Sequence, residues 1–219
     1  MKWLLQLTFL GMVMAGPARS EDIADVLRRS QQMRLGSMTL SSDAARTKAI
    51  RDSFENLRYS LGPNLTVELR ITSGGSYAET LHGNIVIANE SIADLPEGER
   101  LFILAHELGH VAAGHWAQMN QLYKRWIPGE VKPELTDPVS GLLGRDASGL
   151  AHQHEYSADV FALRLLRDLG WSESHAYSAF LRQGMQLDTA THPGTRKRVA
   201  SLRAAQAQGG ATPTGANAE

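Results

Sequence analysis

The chain has 219 residues, 42% of them hydrophobic, with 22 Lys+Arg against 23 Asp+Glu for a net charge of −1, and it has no cysteine. This length favours one compact domain with a sizeable core. The balanced charge, free of long runs of one sign, argues against a nucleic-acid partner or a polybasic membrane surface. Without cysteine there are no disulfides and no thiol for a lipid anchor, and any metal site must use histidine and carboxylate.

Residues 1–20 read as a secretory signal: Lys2 is a short basic start, Trp3 to Ala15 is mostly apolar, and Ala18-Arg19-Ser20 offers small residues for cleavage. The alternative is an uncleaved anchor, but Gln6 and Thr8 interrupt an apolar run well short of the ~20 residues a spanning helix needs, so cleavage is favoured. Export to the periplasm or an equivalent space is the expectation, with one domain over 21–207, a disordered tail over 208–219 and no membrane span after cleavage.

Asp22 to Met33 and Asp43 to Leu61 look helical, the second behind a Ser42 cap with Ile50, Phe54, Leu57 and Leu61 on one face. Gly62-Pro63-Asn64 breaks it. Leu65 to Ile71 alternates like a half-buried strand, Ser73-Gly74-Gly75-Ser76 turns, and Ile85-Val86-Ile87 follows Gly83-Asn84 as a further strand, together predicting a small antiparallel sheet.

Asp94 and Pro96 start a helix whose pattern continues to about Met119. Ile127 to Gly149 is rich in Pro and Gly without a sustained period and reads as a long surface excursion, the kind of loop that often serves as a lid. Helices are expected from His152 to Leu169, from Ser172 to Arg182, and from Pro193 to about Gln206. The fold class is α+β, mainly helical.

The chemistry sits on the helix before Met119. His106 and His110 are four residues apart, so both imidazoles lie on one face and can share a metal ion. Glu107 projects one residue's rotation away, suited to a general base that reaches a water without being a ligand. Leu101 to Ala105 and Val111 to Ala113 make the helix apolar, and Gly109 and Gly114 remove side chains where another element could pack. Two histidines and a glutamate in such a setting need partners; a shared metal is the favoured reading over core histidines satisfied by hydrogen bonds.

A catalytic zinc wants a third protein ligand and an open position. Glu155 and Asp159, four apart on a predicted helix, offer one carboxylate for metal and one to hold an imidazole; equally, their spacing fits two acids on a solvated face. His115, nine residues past His106, falls on the opposite side of a continuous helix and is not a ligand. His152 and His154 flank the carboxylate pair and could touch the cleft, but solvent-exposed histidines are the favoured reading.

Three motifs taken together, His106-Glu107-Leu108-Gly109-His110-Val111-Ala112-Ala113-Gly114-His115, then Glu155 to Asp159, then Thr191-His192-Pro193, resemble the gluzincin family that includes HtpX and the CAAX prenyl proteases. The resemblance spans roughly Leu65 to Leu202. It implies a zincin-like domain, mainly helical, with a small sheet whose edge strand receives extended substrate. It also implies one zinc ion per chain, with His106, His110 and Glu155 as ligands, Glu107 as general base and Asp159 supporting a histidine. The family's C-terminal signature carries over to His192, either stabilising the tetrahedral intermediate or capping zinc reversibly, and to Arg198; Pro193 could instead mark only a helix start.

The reading is therefore a zinc metalloendopeptidase, independent of ATP because no Gly-Lys-Ser/Thr phosphate loop is present. Its partners would be extended or misfolded polypeptides, in protein quality control. The alternative is a zinc-stabilised chaperone or adaptor that binds unfolded clients with little hydrolysis.

Overall fold

The computed structural model describes residues 21–209, so the expected signal segment and the chain beyond Gly209 lie outside the described residues. Helix α1 (Ile23–Ser37) is capped by the Asp22 side chain, and α2 (Ala44–Leu61) by Asp43, not the expected Ser42. Strands β1 (Glu68–Thr72), β2 (Ala78–Leu81) and β3 (Ile85–Asn89) follow, then a 3-10 turn (Glu90–Asp94). Helices α3 (Glu97–Ala112), α4 (His115–Trp126), the single turn α5 (Pro133–Thr136), α6 (Ser140–Asp168), α7 (Ser174–Gln183) and α8 (Thr195–Gly209) complete the order.

The sheet is mixed, not antiparallel. Its order is β1-β3-β2, with β1 and β3 parallel and β2 and β3 antiparallel. The chain leaves β1, crosses to the far edge as β2, and returns through the His82-Gly83 turn into the middle as β3. Those two reversals restore the direction of β1. The segment around Leu40 pairs with β1 at Thr72, while β2 has no strand beyond it among the described residues.

The core lies between α2, the sheet, α3, α6 and α7. Ile50, Phe54, Leu57, Val86, Leu101, Leu104, Leu108, Leu163, Leu166 and Leu202 are almost or wholly buried there, each worth roughly 1.5–3 kcal/mol relative to exposure. Helix α3 runs through the middle, buried on nearly every side from Gly98 to Gly109. That explains its apolar all-round sequence.

Three expected boundaries move. Helix α3 stops at Ala112 because Gly114 adopts a left-handed conformation (φ 65°), and a separate α4 begins at His115. The stretch 127–149 is not an irregular excursion: after α5 and a 3-10 turn (Asp137–Val139), α6 already starts at Ser140, twelve residues before the expected His152. Leu143 holds these early turns by packing with Ile127 and Ile23 in a satellite cluster with Tyr123 and Trp126. At the C-terminus, α8 continues to Gly209, so residues 208–209 of the expected tail have helical backbone.

Candidate metal centre

Helix α6 crosses α3 at Gly109, where a Cβ would come within 3.1 Å of the Ala158 Cα and of Phe161. This close approach brings Glu155 of α6 to the histidine face of α3. The His106 and His110 Nε2 atoms stand 3.1 Å apart. Glu155 Oε1 is 3.3 Å from His110 Nε2, and its Oε2 is 3.6 Å from His106 Nε2. One ligand atom from each of the three residues falls within 4.8 Å of the others.

The donor set fits a four-coordinate cation. Two nitrogens bound at ~2.0–2.1 Å in a tetrahedron lie about 3.3 Å apart, close to the observed separation. Glu155 Oε2 is buried without a hydrogen-bond partner. Arg198 Nη1 comes within 3.2 Å of it but not in hydrogen-bonding geometry. Such an orphaned buried oxygen is costly unless something else satisfies it. Burial alone would raise the Glu155 pKa, but contact with His110 and the nearby His106 and Arg198 charges hold the carboxyl well below the usual range. It is therefore ionised, as a metal ligand must be.

Asp159, fully buried one turn further along α6, accepts a hydrogen bond from His106 Nδ1 at 2.9 Å. The proton on Nδ1 leaves the Nε2 lone pair free toward the cluster. Arg198 of α8 donates Nε–H to Asp159 Oδ2 at 2.8 Å and Nη2–H to Oδ1, a two-point pair with its guanidinium also stacked 4.8 Å over Phe180. Burial works against the Asp159 carboxylate, but the Arg198 hydrogen bond and charge, with His106, lower its pKa. For His106, burial and Arg198 favour the neutral ring; Asp159 and Glu155 outweigh them and raise its pKa.

Glu107 lines the same cleft, a cavity of about 440 Å³ bounded by β2, α3, α6 and His192. Its Oε2 lies 2.8 Å from the Thr80 hydroxyl, which also approaches the Glu107 carbonyl at 3.1 Å. The single hydroxyl proton thus ties the carboxylate to β2, the strand with no strand beyond it among the described residues. His192 stands at the rim with its side chain 61% exposed and Nε2 3.8 Å from Glu155 Oε1, its Nδ1 meeting the Thr191 hydroxyl at 2.8 Å. All seven residues singled out in the sequence converge here. His192 is on the open side, and Arg198 mainly engages Asp159 from behind.

The sequence places His115, His152 and His154 away from the site and does not single out Thr80. Its placement of His115 on the opposite side assumed an unbroken helix; the turn at Gly114 instead returns His115 to the site, with Nδ1 2.8 Å from His110 Nδ1. Burial, with His110, His154 and His106 close by, pushes the His115 pKa down to about 3, so its ring is neutral. His154 is buried rather than exposed and stacks on His115 at 4.0 Å with 8° between planes. His152 is half-buried and meets the Thr189 carbonyl. Thr80 carried no signal, because strand β2 itself has only the four residues Ala78–Leu81.

Residues 63–126 match the model of peptidase family M48. The matched segment contains His106, Glu107 and His110 and ends before Glu155, Asp159, His192 and Arg198. No curated protein matches the chain. Among solved structures, the crystal structure of S. mikatae Ste24p has a similar fold, with a TM-score of 0.52 and 18% identity over 81% of this chain and 55% of that one. The chain thus spans little more than half the length of that structure.

Proposed function

We propose that this chain, whose assignment to peptidase family M48 the family-model match supports, is a zinc-dependent endopeptidase of extended or misfolded polypeptides, working in an exported compartment. The observation that carries the reading is the convergence of His106, His110 and Glu155 with a buried Glu107 carboxylate beside them in one cleft. His106, His110 and Glu155 would hold the ion. Bound zinc supplies Lewis acidity toward a carbonyl and makes a neighbouring water more acidic.

The remaining roles belong to the chain. Glu107, held by Thr80, accepts the proton of the attacking water and returns it to the leaving amine. The open outer edge of β2 suits an extended peptide, whose backbone would add to the sheet with little regard for side-chain identity. Asp159 fixes the tautomer of His106, and Arg198 acts through Asp159 as a positioning residue. His192 faces the cleft from the rim, where it can donate to a developing oxyanion.

An exported location rests on the character of residues 1–20, which lie outside the described residues. Among the described residues no helix is long and apolar enough to cross a membrane.

The test is casein cleavage by the chain and its Glu107→Gln variant, with zinc measured in both. Cleavage reduced at least about 100-fold in the variant, at equal zinc content, is the expected result. Client binding without cleavage by either protein would favour the adaptor reading, and absence of zinc from both would overturn the metal centre.

A further inference from the structure

We propose that His115 is a positioning residue for the metal centre: its Nδ1 accepts the proton on the outer nitrogen of His110 and so aims the other nitrogen of that ring at the ligand cluster. This rests on the reading of His106, His110 and Glu155 as the metal's ligands.

The protons of these rings can be counted. His110 Nε2 faces His106 Nε2 at 3.1 Å and Glu155 Oε1 at 3.3 Å, so a neutral His110 that offers this lone pair to a cation carries its hydrogen on Nδ1. That Nδ1 lies 2.8 Å from His115 Nδ1. With one hydrogen shared between two ring nitrogens, His110 donates and His115 accepts. His115 must then hold its own proton on Nε2, and Nε2 lies 2.9 Å from the Ser157 hydroxyl. Ser157 in turn donates to the His154 carbonyl at 3.1 Å, one turn back along α6. The chain ends on an acceptor that has no alternative state, so every proton in it is assigned.

Packing keeps His115 in place. Its side chain is buried, and the His154 ring stacks flat against it while His154 Nε2 meets Gln118 Oε1 at 3.2 Å. The two metal-facing histidines are thereby held differently. His106 leans on the ionised Asp159, itself paired with Arg198, whereas His110 leans on an uncharged ring that is fixed by α4 and α6 together. Partners of this kind typically contribute 10–100-fold to metal affinity. A leucine at position 115 would fill much of the space and leave the His110 N–H unpaired. A glutamine could accept with its carbonyl and donate with its amide, reproducing both links.

The experiment is zinc affinity of the metal-free full chain by competition with a chromophoric chelator, for the unaltered protein and for His115→Leu, His115→Gln and His110→Ala. The expected result is a roughly 10–100-fold loss for His115→Leu, largely regained in His115→Gln. Equal affinity of His115→Leu and the unaltered protein would overturn the proposal. Zinc binding that is absent from the unaltered chain, or unchanged in His110→Ala, would instead overturn the ligand set on which it rests. A second measurement needs no variant: in the zinc-loaded, 15N-histidine-labelled protein, a through-hydrogen-bond coupling between His110 Nδ1 and His115 Nδ1 is expected. A His110 Nδ1 that carries no proton there would overturn the proposal.

Discussion

Gly109 and Ala158 meet backbone to side-chain position across the α3–α6 contact, with 3.1 Å between the Ala158 Cα and the point a Cβ on residue 109 would occupy. Ala158 lies between Glu155 and Asp159, so this contact sets the distance from the histidines of α3 to both carboxylates. Gly109→Val should therefore destabilise the chain by about 1–3 kcal/mol through overpacking. It should also weaken zinc binding, although no ligand is altered. Urea unfolding and chelator competition on the same sample check both effects, and full zinc affinity in a destabilised variant would show that the helix spacing is not what sets the ligand geometry.

Asp159 and Arg198 form a buried ion pair in which each is the other's main compensation. Removing one charge leaves the other enclosed without its main counter-charge, a loss of about 3–5 kcal/mol in comparable settings. Asp159→Ala and Arg198→Met should each fall in this range in chemical denaturation. The double variant should cost much less than the sum of the two. Additive losses would mean that the carboxylate and guanidinium act independently.

Metal removal should be visible as thermal stability. Zinc at 100 times its Kd would stabilise the native chain by about 2.7 kcal/mol, which for a protein of this size is a Tm shift of roughly 5–10 °C. Chelation should lower Tm by that amount in the unaltered protein and in Glu107→Gln alike, because Glu107 is not among the proposed ligands. A variant of Glu155 should show a much smaller change on chelation. Scanning calorimetry with and without chelator distinguishes these cases.

The part of the site carried by α3 was legible because it is local. His106, Glu107 and His110 acquire their relative placement from helical periodicity alone. Glu155 and Asp159 were legible as a pair, but which of them faces the cluster depends on the α3–α6 crossing, and only the family resemblance assigned it. His115 was misplaced for a single backbone reason, the left-handed Gly114, which turns a nine-residue spacing on one helix into a contact between two. The early turns of α6 were read as loop because Gly141, Gly144 and Gly149 are poor helix formers; Leu143 anchors them through contacts with residues far away in sequence. The sheet's direction was misjudged because β2 was not recognised, and a strand order cannot be read from two strands when a third passes between them in the chain.

The division of the ligands between two helices also bears on the order in which the protein can assemble. His106 and His110 come together as soon as α3 is helical, but Glu155 follows His110 by 45 positions in the chain. The intervening segment must reverse through α4 and α5 before α6 can dock. Closing such a loop carries an entropic cost that a histidine pair alone does not repay. A nascent or partly folded chain would thus hold zinc only weakly, and firm capture would report that α6 has seated on α3. In refolding, the rate of metal uptake would then follow the docking of these two helices, so that the proposed activity would wait on a completed fold.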